Sequence, residues 1–138
     1  MVARIVIESE ILMSVLSYGQ KSIQVELAGE TLSLRGLQID PVRQQVWIDG
    51  ILKPDLLTAH ELKLLQVLAS RQGRICSRAF TVQQVYGTVY LKELDDDRLD
   101  ALVERTRKKI EDNPRHPRFL RTIHGRGHRL DEYIGQKA

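Results

Sequence analysis

The chain has a single cysteine, Cys76, so no internal disulfide can staple it. That excludes the small disulfide-built scaffolds, points to a reducing compartment and leaves Cys76 as a small core residue. Long apolar runs are also missing. The longest, residues 11–15, is broken by Ser14 and is far too short to span a bilayer. Glu8 and Glu10 stand where a signal peptide carries positive charge. The expected location is cytoplasmic, with no membrane partner. Repeats and low-complexity tracts are absent. So are a cysteine pair, an HxxxH spacing on a helix, a nucleophile–base spacing and a Gly-rich phosphate loop after a strand. His60, His116, His124 and His128 therefore give no ligand pattern. The expectation is no metal, no cofactor and no enzyme activity.

What is present is ordinary in amount and uneven in place. The 138 residues are 42% hydrophobic and 28% charged, which fits one globular domain with its own core. A chain of this length buries roughly 65–70% of its unfolded surface. The net charge is +3, but residues 97–129 hold ten Lys and Arg against five acids, while residues 1–96 are close to neutral. Positive charge gathered in one segment favours a polyanionic partner through counterion release.

The pattern along the chain predicts the elements. Residues 5–7 read as a strand, and residues 11–16 as helix or strand. Ile23, Val25 and Leu27 alternate with polar residues, as in a half-buried strand. Short strands follow at Leu32 and Leu34, 37–39, 46–48 and 51–52, with a turn at Asp40-Pro41. Asp49-Gly50 is a two-residue hairpin signal, because glycine accepts the positive φ of a type I′ turn. Trp47 beside it is read as packing.

Thr58-Ala59-His60-Glu61 is a capping box, and Leu62, Leu65, Leu68 and Ala69 form the stripe of the helix it starts, which Gly73 ends. Ser77 caps a short helix over 78–86, with Phe80, Val82 and Val85 inward and Gly87 as its stop. A loop over 88–96 leads to a third helix, 97–110. At about 100° per residue, Leu99, Val103, Thr106 and Ile110, with Leu102 at the edge, share its buried arc. Arg98, Arg105, Lys108 and Lys109 share the opposite one, with Arg107 at the border. Asp95, Asp96 and Asp97 suit the positive end of this helix. Pro114 and Pro117 end it, and residues 119–123 and 128–130 form a last hairpin.

Sheet, helix, short helix, loop, basic helix and hairpin is the order of a winged helix-turn-helix, an α+β fold with an N-terminal antiparallel sheet, three helices and a C-terminal β-hairpin wing. The pieces Leu57-Thr58-x-x-Glu61-x-x-Leu64-Leu65, Gly73-Arg74-Ile75-x-Ser77-Arg78 and Val85-Tyr86-Gly87 occur in that order. Leu99-Asp100-x-x-Val103-x-x-x-Arg107-Lys108-Lys109 and Arg121-Thr122-Ile123-x-Gly125-x-Gly127-x-Arg129-Leu130 follow them. Together, over about residues 34–130, they resemble the OmpR/PhoB-type C-terminal DNA-binding domain of bacterial response regulators.

The resemblance implies sequence-specific binding of double-stranded DNA by a transcription regulator. It places helix 97–110 in the major groove and the wing 119–130 at the minor groove. It assigns DNA contact to Arg105 and Arg107, phosphate neutralisation to Lys108 and Lys109, and a wing phosphate contact to Thr122, with Arg98 and Arg121 as further cations. Arg126 and His124 would stand at the wing tip. The loop with Thr88, Tyr90, Lys92 and Glu93 matches the segment that approaches RNA polymerase, and a homodimer on DNA is a further implied partner.

Departures from the family pattern are Asp97, Leu102, Glu104, Thr106, His124 and His128, several of them where DNA contacts are usual. They keep a second reading open: a winged helix that serves as a protein-interaction module, contacting RNA polymerase or dimerising, with weak or no DNA binding. The expected organisation is residues 1–33 as a strand-like extension, for the sheet or a dimer contact, 34–131 as the winged-helix domain and 132–138 as a tail. A phosphoacceptor domain needs roughly 100–150 residues, so the chain is expected to be a stand-alone regulator or one domain of a longer protein.

Overall fold

The Asp49-Gly50 turn joins residues 45–48 to residues 51–52 and sets the register of that hairpin. Both residues have positive φ, 52° and 81°, as a type I′ turn requires. The computed structural model describes the backbone of residues 24–27 and 30–137 and the side chains of residues 34–137. The expected segments at 5–7 and 11–16 lie outside the described residues. Two compact units emerge, Met1–Pro54 with Ile134–Ala138, and Asp55–Tyr133.

In the first unit β1 (Gln24–Leu27) pairs with β2 (Glu30–Ser33) as a two-stranded antiparallel sheet of its own. The alternating segment, expected as a sheet extension or a dimer contact, pairs with the next strand. The main sheet has the order β5-β4-β3-β8, from β3 (Leu37–Asp40), β4 (Gln45–Ile48), β5 (Ile51–Leu52) and β8 (Tyr133–Gln136). Leu37, Ile39, Val46 and Ile48 are buried. The Asp49 carboxylate accepts the Gly36 N–H at 2.7 Å, and the Asp49 N–H donates to the Gly36 carbonyl at 2.9 Å. Residues 132–138, expected as a tail, instead carry β8, beside β3. The Lys137 N–H donates to the Ile39 carbonyl at 2.7 Å, satisfying a group at the edge of β3.

The second unit begins with α1 (Ala59–Ser70). Its capping box is complete: the Glu61 N–H donates to the Thr58 hydroxyl at 3.2 Å and the Thr58 N–H to the Glu61 carboxylate at 2.9 Å. α2 (Arg78–Tyr86) starts at Ser77, whose hydroxyl accepts the Phe80 N–H, and stops at Gly87, φ 73°. Its inward residues are Thr81, Val82 and Val85. Phe80, expected inside, is only half-buried and carries the Arg71 guanidinium 4.9 Å above its ring. Thr81 fills the inward place because its hydroxyl donates to the Ser77 carbonyl at 2.8 Å.

α3 (Lys92–Ile110) is longer than expected and begins before the three aspartates. The Asp95 carboxylate accepts the Leu91 N–H at 2.7 Å and so caps the helix from inside. The three aspartates thus sit in its first and second turns. Its buried side is Leu99, Leu102, Val103, Thr106 and Ile110. Thr106 is fully buried and satisfied, its hydroxyl donating to the Leu102 carbonyl at 2.8 Å.

The wing is β6 (Leu120–Ile123) against β7 (Gly127–Leu130), with Leu120 opposite Leu130 and Ile123 opposite Gly127. Two elements anchor it. Cys76 and His128 exchange backbone hydrogen bonds of 2.7 and 2.9 Å. The Glu111 carboxylate, just past α3, accepts the N–H groups of Arg118 at 2.7 Å, Phe119 at 3.1 Å and Leu120 at 2.8 Å. Glu111→Ala leaves these donors without partners. The expected loss is about 3 kcal/mol of unfolding free energy, read from urea denaturation at neutral pH.

Candidate nucleic-acid interface

Helix α3 and the wing present the segment of concentrated positive charge, but neighbouring elements already hold part of that charge. Arg98 stacks its guanidinium 3.6 Å from the centre of the Tyr86 ring and pairs with Asp95 at 2.6 Å. Lys109 donates to the Leu56 carbonyl at 2.7 Å and to Glu61 at 2.6 Å. Arg107 donates from Nε to the Leu120 carbonyl at 2.9 Å and from a terminal nitrogen to the Thr122 hydroxyl at 2.6 Å. Burial lowers its pKa, and the Arg121 charge adds to that. Of the basic arc drawn from the sequence, two members are therefore structural, and Arg107 joins α3 to the wing strand.

The remaining cations are open. Arg105 is 54% exposed, with Nε 3.7 Å from Glu61. Lys108 is exposed and makes no salt bridge among the described residues. Arg121 lies 3.9 Å from Asp131 and is half exposed. At the wing tip the side chains of His124 and Arg126 are exposed. A cleft of about 640 Å³ runs beside α3 and β6, lined among others by Glu104, Arg107, Arg115, Arg121 and Thr122. The exposed face of α3 also carries acids, Asp97 and Glu104.

Glu61 ties the base of this surface together. It is 1% exposed. Burial pushes its pKa up, but Lys109, the Thr58 N–H and Arg105 more than offset this, and the net shift is downward. The carboxylate is therefore charged at neutral pH.

The N-terminal half of α3 is pinned to α2 by Arg78. Its Nε donates to Asp96 at 3.1 Å, and one terminal nitrogen reaches the Asp96 carbonyl and the Asp100 carboxylate, each at 2.9 Å. Tyr90 donates its hydroxyl to Asp96, and the Lys92 ammonium donates to it at 2.9 Å. These donors, Tyr90 first, hold the Asp96 carboxyl well below the usual range. Of the residues expected in a polymerase-approaching loop, Lys92 and Glu93 thus belong to the first turn of α3, and the loop proper is residues 88–91. In it Val89 and Leu91 are exposed by 75 and 51%, and Leu94 in the first turn of α3 by 70%.

Under the wing, His128 is 2% exposed. Burial, then the charges of Arg78 and Arg107, push its pKa down to about 4. Gly127 next to it has φ 139°, and a Cβ there would lie 1.9 Å from the Cys76 carbonyl oxygen. The wing can reach the start of α2 only because this residue has no side chain.

The family model described as "Transcriptional regulatory protein, C terminal" matches residues 53–130. The chain belongs to that family. Its winged helix-turn-helix is the fold of OmpR/PhoB-type DNA-binding domains. It is similar to the crystal structure of the Klebsiella pneumoniae RstA DNA-binding domain in complex with the RstA box. The identity is 29% and the TM-score 0.59, over 72% of this chain and 94% of that one. The DNA-binding domain of CpxR from E. coli matches at 28% identity and TM-score 0.55, over 79% and 99%. Among curated relatives, a probable transcriptional regulator ycf27 of Cyanophora paradoxa is 35% identical over 72% of this chain and 41% of its own. The chain spans about two-fifths of the length of that relative.

Within this regulator-family fold, Glu61, Arg78, Glu111, Gly127 and His128 hold the surface in place. The sequence showed Glu61 as a cap and the others only as motif letters or loop residues. His128 supplies a test. Its pKa is lower folded than unfolded, so between pH 6.5 and about 4 the unfolded chain binds a proton that the folded chain does not. Its contribution to stability is complete above 6.5 and is lost as pH falls to about 4, at most about 3 kcal/mol. Chemical denaturation at pH 7.5, 5.5 and 4.5 should show that slope, and His128→Phe should flatten it.

Proposed function

We propose that this domain binds double-stranded DNA sequence-specifically, as the effector part of a cytoplasmic bacterial transcription regulator. In this reading α3 enters the major groove and the β6–β7 wing holds the adjacent minor groove. The carrying observation is the position of the cations that are not locked into the fold. Arg105 and Lys108 on α3, and Arg121 and Arg126 on the wing, stand exposed on the two elements that such a fold offers to a duplex. Arg98, Arg107 and Lys109 contribute through the field and through the placing of α3, and Thr122 and His124 supply wing contacts. The relative crystallised with its DNA box supports the reading. No turnover and no cofactor enter it, and two copies bind side by side on the duplex.

Binding is expected to weaken with salt, each neutralised phosphate adding about −0.9 to the slope of log affinity against log salt. Arg105→Ala should cost ~1–3 kcal/mol on the preferred duplex with little change in melting. Lys109→Ala should reverse that balance and cost about 2–3 kcal/mol of stability, because it strips a buried carboxylate of its nearest cation. A chain that prefers no duplex over random DNA at low salt would sink the reading.

The apolar trio Val89, Leu91 and Leu94, with Thr88, Tyr90, Lys92 and Glu93 around it, favours a second activity of protein contact, with RNA polymerase as the partner. If that patch is the whole function, the domain is an interaction module and the acids at Asp97 and Glu104 keep DNA away. Replacing Val89 and Leu94 by Ser should leave duplex affinity unchanged and abolish transcription activation in a reconstituted assay. Unchanged activation would remove the patch from the reading.

A further inference from the structure

The centre of α3's free face differs from the cationic arc. At about 100° per residue, Asp97, Ala101, Glu104 and Lys108 form one stripe, and all four are exposed. Three of the cations on its flanks are diverted, and Arg105 alone stays open: Arg98 lies over Tyr86, Lys109 is bound to Glu61, and Arg107 reaches the Leu120 carbonyl. Glu104 makes no hydrogen bond and no salt bridge among the described residues, although it senses the charge of Arg107. It lines the cleft with Arg107, Arg121 and Thr122, so groups suited to phosphate stand beside it.

A carboxylate there repels phosphate and lowers affinity for DNA in general. Any gain must come from a base edge that offers a donor and no competing acceptor. Guanine presents N7 and O6, both acceptors, and thymine presents O4 and a methyl group. Adenine sets its N6 amino donor beside the N7 lone pair. Cytosine alone offers N4–H with no acceptor on its own major-groove edge, only the paired guanine O6 on one side, whereas adenine N6–H has N7 on one side and thymine O4 on the other.

We propose that Glu104 is a specificity-determining residue that accepts a hydrogen bond from a cytosine N4 amino group in the major groove. The proposal rests on the DNA-binding reading above. Its test is selection from a random duplex pool at low salt with the full 138-residue chain, E104Q and E104A. The wild-type chain should enrich cytosine at one position of its site. E104Q should move that position to adenine, because an amide can accept from N6 and donate to N7. E104A should lose the preference there, on the order of 10- to 100-fold in discrimination, with the other positions unchanged. Both variants should bind random duplex more tightly than the wild type. Thermal melts should coincide, since the side chain is exposed, and so tie the change to the contact. A sequence-selective wild type whose preferences are the same in all three chains overturns the role of Glu104 and leaves DNA binding standing. A wild type that prefers no duplex over random DNA overturns the DNA reading itself.

Discussion

The second unit depends on one buried carboxylate. Glu61 closes the first turn of α1 and receives Lys109 and Arg105 from the last turns of α3. A lone carboxylate at this depth would protonate or unfold its surroundings. Here the N-cap amide and Lys109 do most to offset the lost hydration, with a smaller effect from the exposed Arg105 at 3.7 Å, so the charge persists and fixes one helix against another. The interaction has a directional effect. It holds the C-terminal end of α3 at the start of α1, while Arg78 holds the N-terminal half at α2. α3 is thus held at both ends by ion pairs, its own cations engaged at one end and its own acids at the other.

These pairs also change what the basic segment means. Residues 97–129 carry a surplus of positive charge, yet part of it compensates acids inside the fold. Arg98, Lys109 and Arg107 are drawn inward, and the outward field comes from fewer, exposed side chains. The acids Asp97 and Glu104 then weigh more on the outer face than their number in the sequence implies. A net charge describes attraction at long range, whereas the local partners decide which cations can leave the surface to grip something else.

Features set by neighbours in the chain were legible in the sequence. The capping box at Thr58 and Glu61 spans four residues, and the Asp49-Gly50 turn needs two; both formed as read. The arcs of α3 were legible as directions, and all five inward residues are buried. Features set by distant partners were not. A helical wheel does not say that Tyr86 waits for Arg98 or Glu61 for Lys109. The start of α3 was misread because Leu91 lacks a capping side chain, and the Asp95 carboxylate does that work from the first turn. Glu111 looked like an ordinary acid because its donors come 7 to 9 residues later, across two prolines. β8 was invisible because Gly135 interrupts its pattern and its partner β3 lies far back in the chain. Thr81 takes the inward place, its hydroxyl satisfied by the Ser77 carbonyl, while Phe80 stays half-buried under Arg71.

The contact at Gly127 has a mechanical consequence. With the Cys76 backbone where a β-carbon would sit, and two backbone bonds across Cys76 and His128, the wing is mortised into the turn ahead of α2. Arg107 and Glu111 brace it from α3. The span from α3 to the base of the wing is then set by these contacts. On the proposed reading, a duplex gripped at both points would supply the matching groove spacing itself, by sequence-dependent width or by bending, and its stiffness would enter recognition.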